Sequence, residues 1–170
     1  PEFTRADAER EAREIGRLIA EGKCELVKVV DSALGIKTYL VKVVLSDGTE
    51  KVVGSGRPPG YTRTAEDMLQ EVVNLMDAGK GKHVGVGNFE WGRLYWYNFT
   101  LSDGHITAHA EMKPYLGGEE EAFDEIKALV ERGNGELLWG PDTGQGQSCY
   151  KVTLSNGRVM YYLTDKASGG

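Results

Sequence analysis

Cysteine is nearly absent from this chain of 170 residues, which holds only Cys24 and Cys149. There is no C-x-x-C pair and no third or fourth thiol, so a zinc-thiolate site is excluded. Two free thiols, buried or half-buried in a reducing compartment, are the expectation. Long apolar runs are also missing. No stretch approaches the roughly 18 residues that a membrane-spanning helix requires, so no membrane partner is expected. The start, Pro1-Glu2-Phe3, lacks the basic-then-apolar pattern of a leader. A cytoplasmic location is therefore the default expectation, a leader removed ahead of Pro1 aside. The opening residues and the closing Ser168-Gly169-Gly170 read as additions to the natural chain. An excess of positive charge is lacking too: the net charge is −6, which disfavours general attraction to nucleic acid or anionic membranes. No catalytic triad, P-loop or other nucleotide signature is present, and no cofactor or metal is expected.

What the chain does have is repetition. Leu45-Ser46-Asp47-Gly48, Leu101-Ser102-Asp103-Gly104 and Leu154-Ser155-Asn156-Gly157 write one turn three times. Upstream of each lies a glycine that closes a helical pattern, Gly22, Gly79 and Gly133, at gaps of 26, 25 and 24 residues. Near-constant spacing of this kind signals duplicated structure. The expected fold is α+β: three tandem α-β-β-β copies spanning 1–56, 57–113 and 114–170, with antiparallel meanders and helices packed on one side of the sheet. A meander of three short strands exposes too much apolar surface to stand alone, so the copies are expected to share one core in a single domain.

Each copy opens with a helix. Ala8, Ala12, Ile15 and Ile19 share a face in the first, and Thr4 with Asp7 forms a capping-box pattern. Thr64 and Asp67 repeat that start before Met68, Leu69, Val72, Val73 and Met76. The third helix carries Ala122, Phe123, Ile126, Leu129 and Val130 after Glu119-Glu120-Glu121, acids that suit a helix N-terminus. In the middle strands, Tyr39-Val41-Val43-Leu45, Tyr95-Tyr97-Phe99-Leu101 and Ser148-Tyr150-Val152-Leu154 form alternate, core-facing rows. The Asp-Gly and Asn-Gly pairs between second and third strands predict tight type I′ hairpins with positive φ at both centres. Gly54 to Tyr61 and Lys113 to Gly118 read as Pro/Gly linkers between copies.

One stretch departs from the rest: Phe89 to Phe99 holds six of the fifteen aromatic residues. By alternation Tyr95, Tyr97 and Phe99 belong to the core. Phe89 and Trp91 fall in the loop between first and second strands, and Trp96 points to the opposite sheet face. An exposed Trp beside Arg93 has the composition of a binding hot spot. The partner-binding candidates are Phe89, Trp91, Arg93 and Trp96. Arg57 and Tyr61, with Arg63, form a second, cationic contact patch on the Gly54–Tyr61 linker. His105 and His109 lie on a strand roughly 13 Å apart, too far for one metal, and the histidines are expected to face solvent. The polar loop Gly140 to Gln147 is expected to be loose.

The Gly-Lys, apolar strand and Tyr39-Leu40-Val41-Lys42-Val43 with Asp47-Gly48-Thr49-Glu50 is similar to PepSY-type modules of protease propeptides and inhibitory domains. The tandem helix-plus-meander plan also resembles the β-lactamase inhibitor proteins. These resemblances imply binding of another protein. The order helix, meander, helix resembles the double-stranded RNA-binding domain, but its second helix would need a basic start. Here that start reads Thr64-Ala65-Glu66-Asp67, and residues 114–170 carry five Lys/Arg against nine Asp/Glu. Nucleic acid is therefore not the expected partner. The expected function is a non-catalytic binding protein of inhibitor, immunity or adaptor type, engaging another protein through loops and the aromatic-rich hairpin. The alternative is a small-ligand-binding protein or enzyme with a pocket between copies.

Overall fold

In the computed structural model, residues 2–165 are described; the closing Ser168-Gly169-Gly170 lies outside them. The element order is α1 (Arg5–Ala20), β1 (Glu25–Asp31), β2 (Lys37–Val44), β3 (Glu50–Ser55), α2 (Ala65–Asp77), β4 (Lys82–Phe89), β5 (Gly92–Thr100), β6 (Ile106–Glu111), α3 (Glu119–Glu131), β7 (Glu136–Trp139), β8 (Gln147–Thr153) and β9 (Val159–Asp165). The class is α+β.

The helices begin and end where the capping chemistry places them. Thr4 and Asp7 complete a reciprocal capping box at α1, and the Thr64 hydroxyl accepts from the Asp67 N–H at 3.1 Å. Gly22, Gly79 and Gly133 have φ of 74°, 69° and 78°, the left-handed conformation that costs glycine nothing. Each donates to the carbonyl three residues back, and the next residue donates five back. Lys23 thus reaches Leu18, Lys80 reaches Leu75 and Asn134 reaches Leu129, at 2.8–2.9 Å.

The Leu-Ser-Asx-Gly turns correct the expected hairpin type. Only their glycines have positive φ, 87°, 87° and 85°. Gly48, Gly104 and Gly157 each donate to the leucine carbonyl three residues earlier, and each leucine N–H bonds the carbonyl one residue past the glycine. This is a three-residue loop, a type I turn followed by a glycine bulge, not a type I′ turn. The Asp or Asn serves through its side-chain oxygen, which accepts from the N–H two residues on at 2.9–3.0 Å. The serine has a different task. Its N–H donates to a carboxylate on the helix that precedes it: Ser46 to Glu14 at 2.6 Å, Ser102 to Glu71 at 2.6 Å and Ser155 to Glu125 at 2.8 Å. One glutamate therefore ties each helix to the far end of the meander that follows it.

The chain divides into two units, Pro1–Ser32 with Lys37–Asp67, and Ala33–Ile36 with Met68 onward. In the first, β1-β2-β3 is an antiparallel sheet. Val41, Val43 and Leu45 are buried beneath Ile15, Leu18 and Ile19 of α1. In the second, the strand order is β6-β5-β4-β9-β8-β7. Here the sheet is mixed, where antiparallel meanders alone were expected: β4 pairs parallel with β9, Gly85 to Asn88 opposite Tyr161 to Thr164. Local patterning cannot show this pairing, because Asn88 and Thr164 stand 76 residues apart. One face of the six-stranded sheet buries Tyr95, Tyr97, Phe99, Val152 and Met160 against Val72 of α2 and Phe123 and Ile126 of α3. The other buries Val84, Phe89, Cys149 and Leu163 with Leu34.

The first strand in each set carries a bulge, marked by register breaks at Leu26/Lys28, His83/Gly85 and Leu137/Trp139. The extra residue in β4 is Val84. It puts His83 opposite Tyr97 on the helix-covered face and Gly85 opposite Trp96 on the other. Gly85 is sterically required, since a Cβ there would lie 2.8 Å from the Leu34 side chain and 2.9 Å from the Tyr161 carbonyl. Leu34 itself has φ 65°, a conformation a leucine holds only where surrounding packing imposes it.

The loop Gly140 to Gln147 carries hydrogen bonds of its own. Gly144 and Gly146 donate to the Gly140 and Pro141 carbonyls at 2.8 Å, and Gly144 lies against the Trp139 ring.

This geometry sets the stability of three variants, each read by chemical denaturation. Gly85→Ala will destabilise the unit that contains it by about 2 kcal/mol or more. Gly16→Ala, in α1 with nothing within 4 Å of the new methyl, will instead stabilise by about 0.5–1 kcal/mol. Glu71→Ala, which orphans the Ser102 N–H, will cost about 1–2 kcal/mol, against about 0.5 kcal/mol or less for exposed Glu121→Ala.

Candidate functional site

The aromatic-rich stretch does not assemble as one surface. Phe89 is not a loop residue: it ends β4 and is buried. Trp96 is half-buried on the same sheet face, its ring edge-on to Phe89 at 6.1 Å. Arg93 belongs to the opposite face. Its guanidinium lies 4.4 Å from the centre of the Phe123 ring and donates to Glu120 at 3.0 Å. Glu120 also accepts from the Tyr95 hydroxyl, and burial followed by this carboxylate pushes the Tyr95 phenol up to about 12. Trp91 alone stands out, 62% exposed at the turn between β4 and β5. Its ring stacks on Phe89 at 5.1 Å with planes 2° apart, and exposed Met112 lies beside the neighbouring Gly92.

Arg57 and Tyr61 belong to the other unit. Arg57 is occupied by local bonds: its N–H donates to Ser55 Oγ at 3.1 Å and its guanidinium to the Arg63 carbonyl at 3.2 Å. Arg63 in turn bonds Asp67 at 2.7 Å.

A second site was not visible in the sequence. A cavity of about 400 Å³ is lined by Lys82 and His83 of β4, Gly117, Gly118 and Glu119 at the start of α3, and Arg158 before β9. His83 is 6% exposed, which corrects the expectation of solvent-facing histidines; the Val84 bulge turns it inward. His109 is half-buried, bonded through Nε2 to Glu111 at 2.7 Å. Burial lowers the His83 pKa to about 4; the Glu119 charge opposes this, Arg158 adds to it, and a hydrogen bond to the Gly85 backbone opposes it. The ring's Nε2 is buried without a hydrogen-bond partner; it is the acceptor in the neutral tautomer that carries its proton on Nδ1.

Glu119 is 2% exposed. Its Oε1 accepts from the Tyr97 hydroxyl at 2.9 Å and the Leu116 N–H at 3.0 Å, while Oε2 has no partner. Burial and this carboxylate hold the Tyr97 phenol far above its ordinary value. The Tyr115 hydroxyl, against cavity-lining Gly81, is likewise without a partner. Arg158 is held in place by donating to the His83 carbonyl.

Cys24 is half-buried and Cys149 buried, both free, and burial raises the Cys149 thiol to about 12. Among the described residues no cluster of three or more His, Cys, Asp or Glu side chains is suited to a metal. No described helix is long and apolar enough to cross a membrane. No protein-family model, curated protein or solved structure matches this chain.

The buried ring makes stability depend on pH. Between pH 6.5 and about 4 the unfolded chain binds a proton at His83 that the folded chain does not, so stability falls as pH drops through that window. The full effect is on the order of 3 kcal/mol. In two-dimensional ¹H–¹⁵N spectra of the imidazoles, the His83 ring will stay neutral down to pH 5; a midpoint near 6.5 would refute the burial argument.

Proposed function

We propose that this protein is a non-catalytic binding protein built from three related α-β-β-β copies, 1–56, 57–113 and 114–170, and that it engages another protein through the tip of the β4–β5 hairpin. One observation carries this reading: Trp91 is exposed yet immobilised by stacking on Phe89. A large ring already held in position loses little rotamer freedom on binding, and such rings dominate interface energies. Met112 extends the apolar contact. Phe89 and Trp96 act as the foundation of the ring, and Arg93 as a brace to α3. Arg57 and Tyr61 form a separate contact patch in this reading. The threefold recurrence of the helix-to-turn carboxylate, the glycine caps and the first-strand bulge supports the three copies.

A second reading, a small-ligand-binding protein, is favoured by the His83–Glu119 cavity, which lies where the second and third copies meet.

Trp91→Ala will leave the denaturation midpoint almost unchanged, within about 0.5 kcal/mol, and will weaken partner binding by about 2 kcal/mol or more. A photo-crosslinking residue at position 91 identifies the partner for that titration. Equal affinity of the wild type and Trp91→Ala would rule the hairpin tip out. Trp96→Ala, by contrast, will lower stability by about 2–4 kcal/mol as well as binding.

A further inference from the structure

The cavity at the start of α3 brings together groups whose needs are complementary to one kind of molecule. Two buried polar atoms on its lining lack partners, His83 Nε2 and Glu119 Oε2. Buried polar atoms are almost always paired, so two orphans on one cavity wall point to something that pairs them. The carboxylate oxygen only accepts, and the imidazole nitrogen accepts in the neutral tautomer that carries its proton on Nδ1. A primary ammonium, with three N–H donors and a positive charge opposite Glu119, satisfies this set.

The rest of the lining excludes a plain cation. Lys82 and Arg158 border the same cavity and would repel one. Both are exposed side chains that attract a negative group at the other end of the ligand, and planar, forked donors such as Arg158 suit a carboxylate. Gly117 and Gly118, with φ of 91° and 84°, lead into α3 without any side-chain cap. The amides at that helix start reinforce the anionic end. Glu119 cannot serve as that anion, since its Oε1 is already committed to Tyr97 and Leu116.

We infer that this cavity binds a small zwitterion with a primary ammonium and a carboxylate, the chemistry of a free α-amino acid. The ammonium sits between Glu119 and His83, and the carboxylate faces Arg158, Lys82 and the amides of Gly117–Gly118. The volume, about 400 Å³, accommodates the backbone of such a molecule and a side chain of moderate size. This inference rests on the second reading, that the cavity takes a small ligand, and is independent of the role of Trp91.

The test is a titration of the intact chain with alanine, leucine, phenylalanine, lysine and glutamate, following the amide resonances of Gly117 and Gly118. At least one will saturate the site, and its N-acetyl and carboxamide derivatives will each bind about tenfold or more weakly. Arg158→Gln and Lys82→Gln will weaken the parent amino acid but not its carboxamide. Glu119→Gln keeps the shape and the Tyr97 bond, and will weaken the parent but not its N-acetyl form. Should that variant not fold, the two cation variants and the derivatives still decide. An N-acetyl derivative that binds as tightly as its parent overturns the ammonium assignment. Saturation by acetate, inorganic phosphate or propylamine, with no amino acid binding, overturns the zwitterion while leaving a ligand cavity. No saturation by any probe at about 10 mM overturns both.

Discussion

The parallel ladder between β4 and β9 is the constraint on which the larger unit depends. Four residue pairs, Gly85–Tyr161 to Asn88–Thr164, join two three-stranded sheets into one of six strands. A three-stranded meander under one helix buries little; six strands under two helices bury a layer that includes Tyr95, Tyr97, Phe99, Phe123 and Ile126. The same ladder decides where the polar groups go. It sets Arg158, just ahead of β9, against the His83 carbonyl, and α3 lies over the β4–β9 seam with Glu119 at its first turn. The glycines of β4 are a condition of this join. Gly85 lies against the backbone of β9, and a Cβ at Gly87 would collide with Phe89 and Trp96.

Carboxylates are the second organising element, and they explain much of what an acidic composition is for. Glu14, Glu71 and Glu125 are half-buried, and each satisfies a serine N–H at a hairpin turn. A charged acceptor bonded to a backbone donor holds a helix at a set distance from the end of its sheet, a role that apolar contact fills less specifically. The third helix carries the device further. Glu119 and Glu120 reach Tyr97 and Tyr95 on β5, so the first turn of α3 is fixed to the sheet as well as the second, which Glu125 holds.

The binding features sit at two places that differ in how they are maintained. Trp91 is held by one neighbour, through a ring stack on a hairpin turn. The cavity is held by strands and a helix start, with His83 aimed by a bulge and Glu119 by two donors. Groups on rigid elements hold their geometry better than groups on turns, which suits the cavity to a small ligand and the hairpin tip to a larger, more tolerant partner.

Local chemistry was legible in the sequence. Gly22, Gly79 and Gly133 end helices because nothing else takes that φ without strain, and the rows through Tyr39, Tyr95 and Ser148 face inward because strands alternate. Cys24 and Cys149 are free, as expected. What the sequence could not show were relations between distant residues. The turn type depended on where the leucine N–H found its acceptor. The direction of β9 depended on a partner, β4, far away in the chain, and the inward turn of His83 depended on a one-residue bulge that inverts the face of everything before it. The split of Arg93 and Trp96 between two faces, by contrast, follows from alternation along β5. Backbone preferences and side-chain alternation act within a few residues, so the chain itself determined its helices, strands and turns. Which edges meet, and therefore which polar atoms are left facing one another, is decided only when the strands pair.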